Sequence, residues 1–521
     1  MIKKKSIIML ALIMAMVMII SACGSKNNNA PAATQTPDGG ETSTNTEQGQ
    51  GAADTSEAVK LKMVFVGPKP VDYDSVFAAI NEKLKAKINV TLEGEFLDWS
   101  DWAQKYPLKL AANEDFDLIY TANWAGYNDQ ALKGGFLELT EDMIKTYMPE
   151  TFKAMSDVNW DQAKVNGKLY MVPQNLGESV EKLILYREDL RKKYNLPAID
   201  SPETFANYLK TVAANEKGIT PFTPETGDWK MHNLDRIMLK QQNDWNLFDL
   251  DIPLGFKITD ETGQIFNVYE TPEFKEQLLY YKDLADNNAW SKNVLNNKND
   301  HQQDFREGKT AAITHNMGTL GSLMALMRQT NQYEVALADI NPNNKKSQAV
   351  ATQNGVSVHA TSKHPERALM FIDLMQNDQE LHDLINLGIE GVHYTAVGDE
   401  KFQSTDKSPN YTGFSFWGFN SPLNRDNESF PEEATAMQNG WDSNVYHYPL
   451  ETFVFDNSKV KTEVANVSNV MLRYAIPLEY GVIKDVEKGL EDLKKQVKAA
   501  GIDKIQNELQ TQIDAFLAAK K

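Results

Sequence analysis

Cys23 is the only thiol in 521 residues, and its neighbours give it a chemistry. Lys3, Lys4 and Lys5 form a positive start, and Ser6 to Ile20 is an almost unbroken apolar run. Ile20-Ser21-Ala22-Cys23 then places small residues just before the sulfur. That order resembles a bacterial lipobox, in which the thiol is alkylated by a diacylglyceryl group and the chain is cut before the cysteine. The apolar run spans roughly 22 Å as a helix, short of a hydrocarbon core of roughly 30 Å, so residues 1–22 are expected to be a lipoprotein signal peptide. Two acyl chains anchor a protein stably where one does not. Other signatures of reactive chemistry are thin. The chain has no G-x-S-x-G elbow and no H-E-x-x-H zinc helix. Gly308-Lys309-Thr310 ends like a phosphate-binding loop, but Gln303 stands where the leading glycine belongs. His359 and His364 read as solvated side chains flanking a helix entrance, and the acids from Asp426 to Glu433 miss the calcium-loop spacing. No catalytic residue, metal ligand or cofactor is assigned.

Charge narrows the partners. The formal net charge is −19, and loss of the three signal lysines takes it to about −22. Such a chain lacks the basic patches that nucleic acid or an anionic lipid surface requires. With no second cysteine, stability must come from burial, and the length suffices for two or three domains' worth of core. Residues 23–58 are different: Asn27-Asn28-Asn29, Pro31, Gly39-Gly40, Gly49 and Gly51 stand among threonines with hardly an apolar side chain. That composition cannot repay ordering and reads as a disordered tether with a reach on the order of 30 Å.

The folded part opens with alternating patterns. Leu61 to Val66 is a short apolar strand stopped by Gly67-Pro68. Val76, Phe77, Ile80 and Leu84 recur at helical spacing, and Ile88, Val90 and Leu92 alternate as a strand does. Trp99, Trp102, Tyr106 and Leu110 suggest a second helix, and Asp117 to Tyr120 a third strand. This order predicts a parallel sheet wrapped by helices, with ligand beyond the carboxyl ends of the strands. The loops at 67–73, 98–102 and 121–127 are therefore where binding groups are expected. Near the end, Val486, Leu490, Leu493 and Val497 make one apolar stripe. Gly501 breaks it, and Ile505, Leu509, Ile513 and Phe516 make another that should pack on its own domain.

An ordered series of motifs carries a family resemblance. Val165-Asn166-Gly167-Lys168-Leu169-Tyr170-Met171-Val172-Pro173 resembles the "NGKxYxxP" strand of family 1 extracellular solute-binding proteins, the maltodextrin-binding type. Ile184 to Leu190 is similar to that family's "xYRKDL" segment, and Asp200 to Phe205 to its "P-x-T-W-x-E" helix entrance. Phe305 to Ala312 resembles "FxxGKxAM", taken as a strand, and Gly355 to Val358 stands where the family returns to its first lobe. Ser362 to Ile372 looks like the "S-K-x-P-E-x-A-x-x-F" helix. Six motifs in order over roughly 60–395 are specific. Gly388 to Tyr394 and the tail resemble a Gram-positive lipoprotein subset with its own C-terminal extension.

The resemblance implies an α/β, two-lobed, periplasmic-binding-protein-like (type II) fold that hinges shut on ligand. Lobe one is expected over 59–174 and 350–410, lobe two over 175–349, and a helical extension packed on the lobes over 411–521. The implied function is the lipid-anchored, extracellular, monomeric binding component of an ABC importer, with permease subunits as partners and no enzymatic activity. A ligand-presenting subunit for a sensor kinase shares the fold, and a secreted glycoside hydrolase shares the wealth of aromatics and acids. Sugars offer an apolar ring face and a rim of hydroxyls, which suit flat aromatics beside amides and carboxylates. With nine Trp and nineteen Tyr, an oligosaccharide is the expected cargo. The candidates are Asn123 and Trp124, Trp99 beside Asp98, and Trp229 beside Asp228. Asn316, Asn354, Glu390 with Tyr394, Trp417 near Asn420, and Lys69 in the first loop complete the set.

Overall fold

The computed structural model describes residues 54–520 apart from 113, 178, 180, 226–232, 250–251, 297–299 and 331. These belong to one compact unit, Ala52–Lys521. The signal segment, Cys23, most of the tether and Trp229 lie outside the described residues.

The first sheet has the strand order Val90–Leu97, Val59–Val66, Leu118–Thr121, Gly355–Val358, Val172–Pro173. The first three strands run parallel, with Val59 opposite Val90 and Val66 opposite Leu97. The inner strand Leu118–Thr121 is buried throughout and Val59–Val66 over its last four residues, whereas the edge strand Val90–Leu97 alternates, with Glu93 exposed. The helix Tyr73–Ile88 buries Val76, Phe77, Ile80, Leu84 and Ile88 and ends on Asn89 in the left-handed region (φ 51°). Gly355–Val358 returns antiparallel to both Leu118–Thr121 and Val172–Pro173. Gly355 is required there, since a Cβ would sit 2.5 Å from the Val172 carbonyl oxygen.

The second sheet sets Lys182–Arg187 between Ala312–Asn316 and Val335–Ala338, antiparallel to both. Two crossings join the sheets. The Gln174 N–H donates to the Asn354 carbonyl at 2.9 Å, Ser179 bridges Gln348, and the Ser347 N–H donates to Glu181 at 2.7 Å. The molecule is thus an α/β protein of two lobes with a helical C-terminal part.

Two local expectations differ from what the chain forms. Residues 165–173 are not one strand. Asn166 (φ 51°) and Gly167 (φ 76°) make a tight hairpin turn between Lys164–Val165 and Lys168–Leu169, as an Asn-Gly pair favours. The segment from Phe305 does not begin a strand either. Asp300 caps a short helix, His301–Arg306, by accepting the Gln302 N–H, and the strand starts only at Ala312.

The chain after residue 410 is shared among three cores. Tyr411, Phe414 and Phe419 join the core of the first sheet. Ala434 and Trp441 pack with the second sheet. From Tyr448 onward the chain packs on a meander of Trp245–Asp249, Ile252–Lys257 and Ile265–Asn267. Leu490, Leu493, Val497, Ile505, Leu509 and Ile513 are buried there, each contributing about 1.5–3 kcal/mol. Gly501 (φ 101°) lets the helices Val486–Ala500 and Ile502–Ala519 fold back on each other.

Candidate ligand-binding site

The carboxyl ends of the parallel strands and the amino end of Lys182–Arg187 both meet the crossings, so these edges border the space between the lobes. On the first lobe that edge is aromatic. Asp98 follows the strand Val90–Leu97 and turns the chain by accepting the Ser100 N–H at 2.9 Å and hydroxyl at 2.8 Å. Those bonds hold its carboxyl below the ordinary range and set Trp99 at the rim, 40% exposed. Leu118–Thr121 leads into Asn123–Ala125, which presents Trp124.

Trp417 arrives from far along the chain. The segment 411–419 is strapped against Val66, whose N–H donates to the Ser415 hydroxyl at 2.9 Å. The Ser415 N–H returns a bond to the Val66 carbonyl at 2.8 Å. Gly67 (φ 113°) permits this approach, because a Cβ there would lie 2.4 Å from the Gly413 carbonyl oxygen. Trp417 then stacks on Trp99 with ring centroids 5.9 Å apart and planes 8° apart. Trp124 lies 6.5 Å from Trp99, and Trp102 supports both edge-on.

Every N–H of these three indoles is used internally. Trp99 donates to the Gly413 carbonyl at 2.9 Å, Trp124 to the Gln353 carbonyl at 2.8 Å, and Trp417 to the Tyr120 hydroxyl at 2.8 Å. Tyr120 donates onward to Asn354 Oδ1 at 2.6 Å, and Asn354 donates to Gln174 Oε1 at 2.8 Å. Burial pushes the Tyr120 phenol well above its usual pKa, so it stays a donor. A hydrogen-bonded chain thus runs from the platform into both crossings. What remains to a ligand is ring face.

The edge of the second lobe is charged. Lys182 heads its strand opposite Asn316. Gln241 accepts the Lys182 N–H at 2.8 Å and donates to its carbonyl at 2.9 Å, fixing the π-helical turn Arg236–Gln241 alongside. Desolvation first, then Arg236, pushes the Lys182 ammonium down to about 7. Desolvation also lowers Arg236 and Lys240. Glu225 lies 3.8 Å from His315 Nε2, and His315 stacks on His301 at 5.9 Å. Burial, then Lys182, keeps His315 neutral.

Of the candidates, Trp99, Trp124, Trp417 and Asn354 converge at the aromatic edge. Asn123 is exposed beside them and uses Oδ1 to accept the Trp124 N–H at 2.7 Å. Asn316 lies at the other edge, where its Oδ1 accepts the Thr319 N–H at 2.9 Å. Lys69 is exposed, 3.5 Å from Asp74 and over the Tyr73 ring. Glu390 is exposed, and Tyr394 is buried against Phe402; neither touches the indoles. Tyr120, Trp102, Gln174 and the cations of the second edge are additions. Tyr120 closes a predicted strand and Trp102 opens a predicted helix, the sequence signals among them.

Residues 67–380 match the model for "bacterial extracellular solute-binding protein", and 449–518 match a "domain of unknown function (DUF3502)". The chain is 23% identical over 480 residues to a carbohydrate ABC transporter substrate-binding protein of Streptococcus pneumoniae serotype 4, covering 90% of this chain and 93% of that one. It is 25% identical over 290 residues to the polygalacturonan/rhamnogalacturonan-binding protein YtcQ of Bacillus subtilis, covering 52% and 54%. The crystal structure of an N-glycan transport solute binding protein from Streptococcus pneumoniae superposes with a TM-score of 0.74 at 23% identity, covering 89% of this chain and all of that one.

Proposed function

This chain belongs to the bacterial extracellular solute-binding proteins, and from that premise we propose that it captures an oligosaccharide between its lobes and delivers it unaltered to an ABC permease. The observation that carries the reading is the platform of Trp99, Trp124 and Trp417, whose N–H groups are spent and whose rings remain partly exposed, so that what they can offer a pyranose is ring surface. Apolar ring faces stacked on indoles fix a sugar's position, and polar groups of the opposite lobe fix its hydroxyl rim. A ligand touching both edges stabilises the closed form over the open one, which is the difference a permease can read. The carbohydrate- and N-glycan-binding relatives support this cargo class. Diacyl attachment at Cys23 would hold the binder at the outer membrane face on its tether. Incubating the full chain with a panel of oligosaccharides tests the reading. A stoichiometric thermal upshift with the sugar recovered intact is expected. Cleavage of a glycosidic bond, or a shift with peptides alone, would overturn it.

A further inference from the structure

The charged edge of the second lobe departs from the way this protein treats its other sequestered cations, and the departure extends the oligosaccharide reading, on which it rests. Elsewhere they are matched: Lys346 with Asp339 at 2.8 Å, Arg425 with Asp383 at 2.9 Å, and Lys109 with Glu95 at 2.8 Å. Arg187 meets Asp189 and Arg191 meets Glu188, each at 2.6 Å. Arg367 spends its guanidinium on the carbonyls of Ile88 and Asp54. Lys182, Arg236 and Lys240 break the pattern. Among the described residues no carboxylate oxygen lies within the 4.0 Å ion-pair distance of any of them.

Glu181 acts on all three cations from further off, and Glu225 on Lys182 and Arg236. Glu181 is occupied by the Ser347 N–H and hydroxyl, and Glu225 stands beside His315. Among the described residues, these three cations therefore stand at this edge without a carboxylate at ion-pair distance, in a chain whose net charge is −19. Next to it, His315 Nδ1 and His301 Nε2 are buried with no hydrogen-bond partner among the described residues, and His301 is only 6% exposed. Gln241 clamps the backbone of Lys182 and so fixes the cations' spacing. A π-helical turn is itself frequent at functional sites. Holding partly desolvated cations without partners is costly unless an anion arrives to complete them.

We propose that this edge is a carboxylate subsite and that the cargo is an acidic oligosaccharide, with its rings on the tryptophan platform and a uronate carboxylate between Lys182 and Arg236. A guanidinium fork and an ammonium suit a planar carboxylate better than they suit hydroxyls. A neutral sugar would cover the indoles and leave the cations uncompensated.

Calorimetry of the full chain with tri-galacturonate and with its fully methyl-esterified form separates charge from shape. The free acid should bind at least tenfold more tightly, with the margin narrowing as salt is raised. Lys182→Met and Arg236→Gln should each cut acid affinity at least fivefold while leaving ester affinity within about twofold. Two variants keep the test decisive should one fail to fold. Equal affinity for the two forms, or preference for the ester or for a neutral mannose oligosaccharide, overturns the carboxylate subsite and leaves oligosaccharide capture standing. Failure of every sugar to bind, acidic or neutral, overturns both.

Discussion

On the first lobe, Trp99, Trp124 and Trp417 have committed their N–H groups to Gly413, Gln353 and Tyr120 and offer only flat carbon surface. On the second, Lys182, Arg236 and Lys240 hold charges that no described carboxylate balances at close range. The three indoles of the aromatic edge have completed their own hydrogen bonding without cargo. The charged edge is not complete, and it is stable only because the rest of the lobe tolerates its cost. On the proposed reading, flat indole surface would supply grip for any sugar with an apolar face. The charged edge, on the proposed reading, would supply choice, because it rewards the one chemistry that completes it.

Removing ring surface is expected to have the largest effect. Trp417→Ala deletes one of the three indoles and the ring that braces Trp99, which should cost about 2–4 kcal/mol of oligosaccharide affinity, measured by calorimetry. A loss below threefold would mean that the platform is not the grip. Tyr120→Phe sharpens the comparison by leaving every ring in place. It removes the group that joins Trp417 to Asn354, so affinity should fall by about 1–2 kcal/mol, and ligand-driven compaction in solution scattering should shrink. Unchanged affinity and compaction beside a lowered melting temperature would reduce Tyr120 to a packing residue.

The smallest effect concerns the charged edge without ligand. The Lys182 ammonium titrates near 7 in the fold against 10.5 in a free lysine. Between those values the unfolded chain binds the extra proton, so this group makes stability rise with pH from about 7 to 10.5. Below that window both states are charged and the burial cost stands in full. Lys182→Met should therefore be more stable than the parent at pH 6 and should lose that part of the rise. Identical pH profiles of melting temperature in the two proteins would show that the lysine is not desolvated.

The aromatic edge was far more legible in the sequence than the charged one. Trp99 and Trp124 follow apolar strand patterns directly, and parallel order places such loops on the binding side, so their position follows from local periodicity. Asn354 follows from the family's return to its first lobe. Trp417 was visible only as one aromatic in a rich stretch. Its partner Tyr120 lies 297 residues earlier, and no spacing rule reaches that far. Lys182, Arg236 and Lys240 were invisible for a different reason. Lysines and arginines are ordinary in a charged chain, and what marks these three is that no carboxylate among the described residues comes within ion-pair distance, which only folding reveals. The hairpin at Asn166-Gly167 was missed inside a motif read as a single strand, although the dipeptide itself announces a turn.

The strap at 411–419 also sets a timetable. Secretion delivers a chain from its amino end, and Tyr120 reaches the outside long before Trp417 does. Until the strap docks on Val66 and Gly67, two of the three indoles stand without the third and the relay into the crossings has no terminus. A chain whose strap has not yet docked thus lacks the third indole of the candidate platform and its link to the crossings.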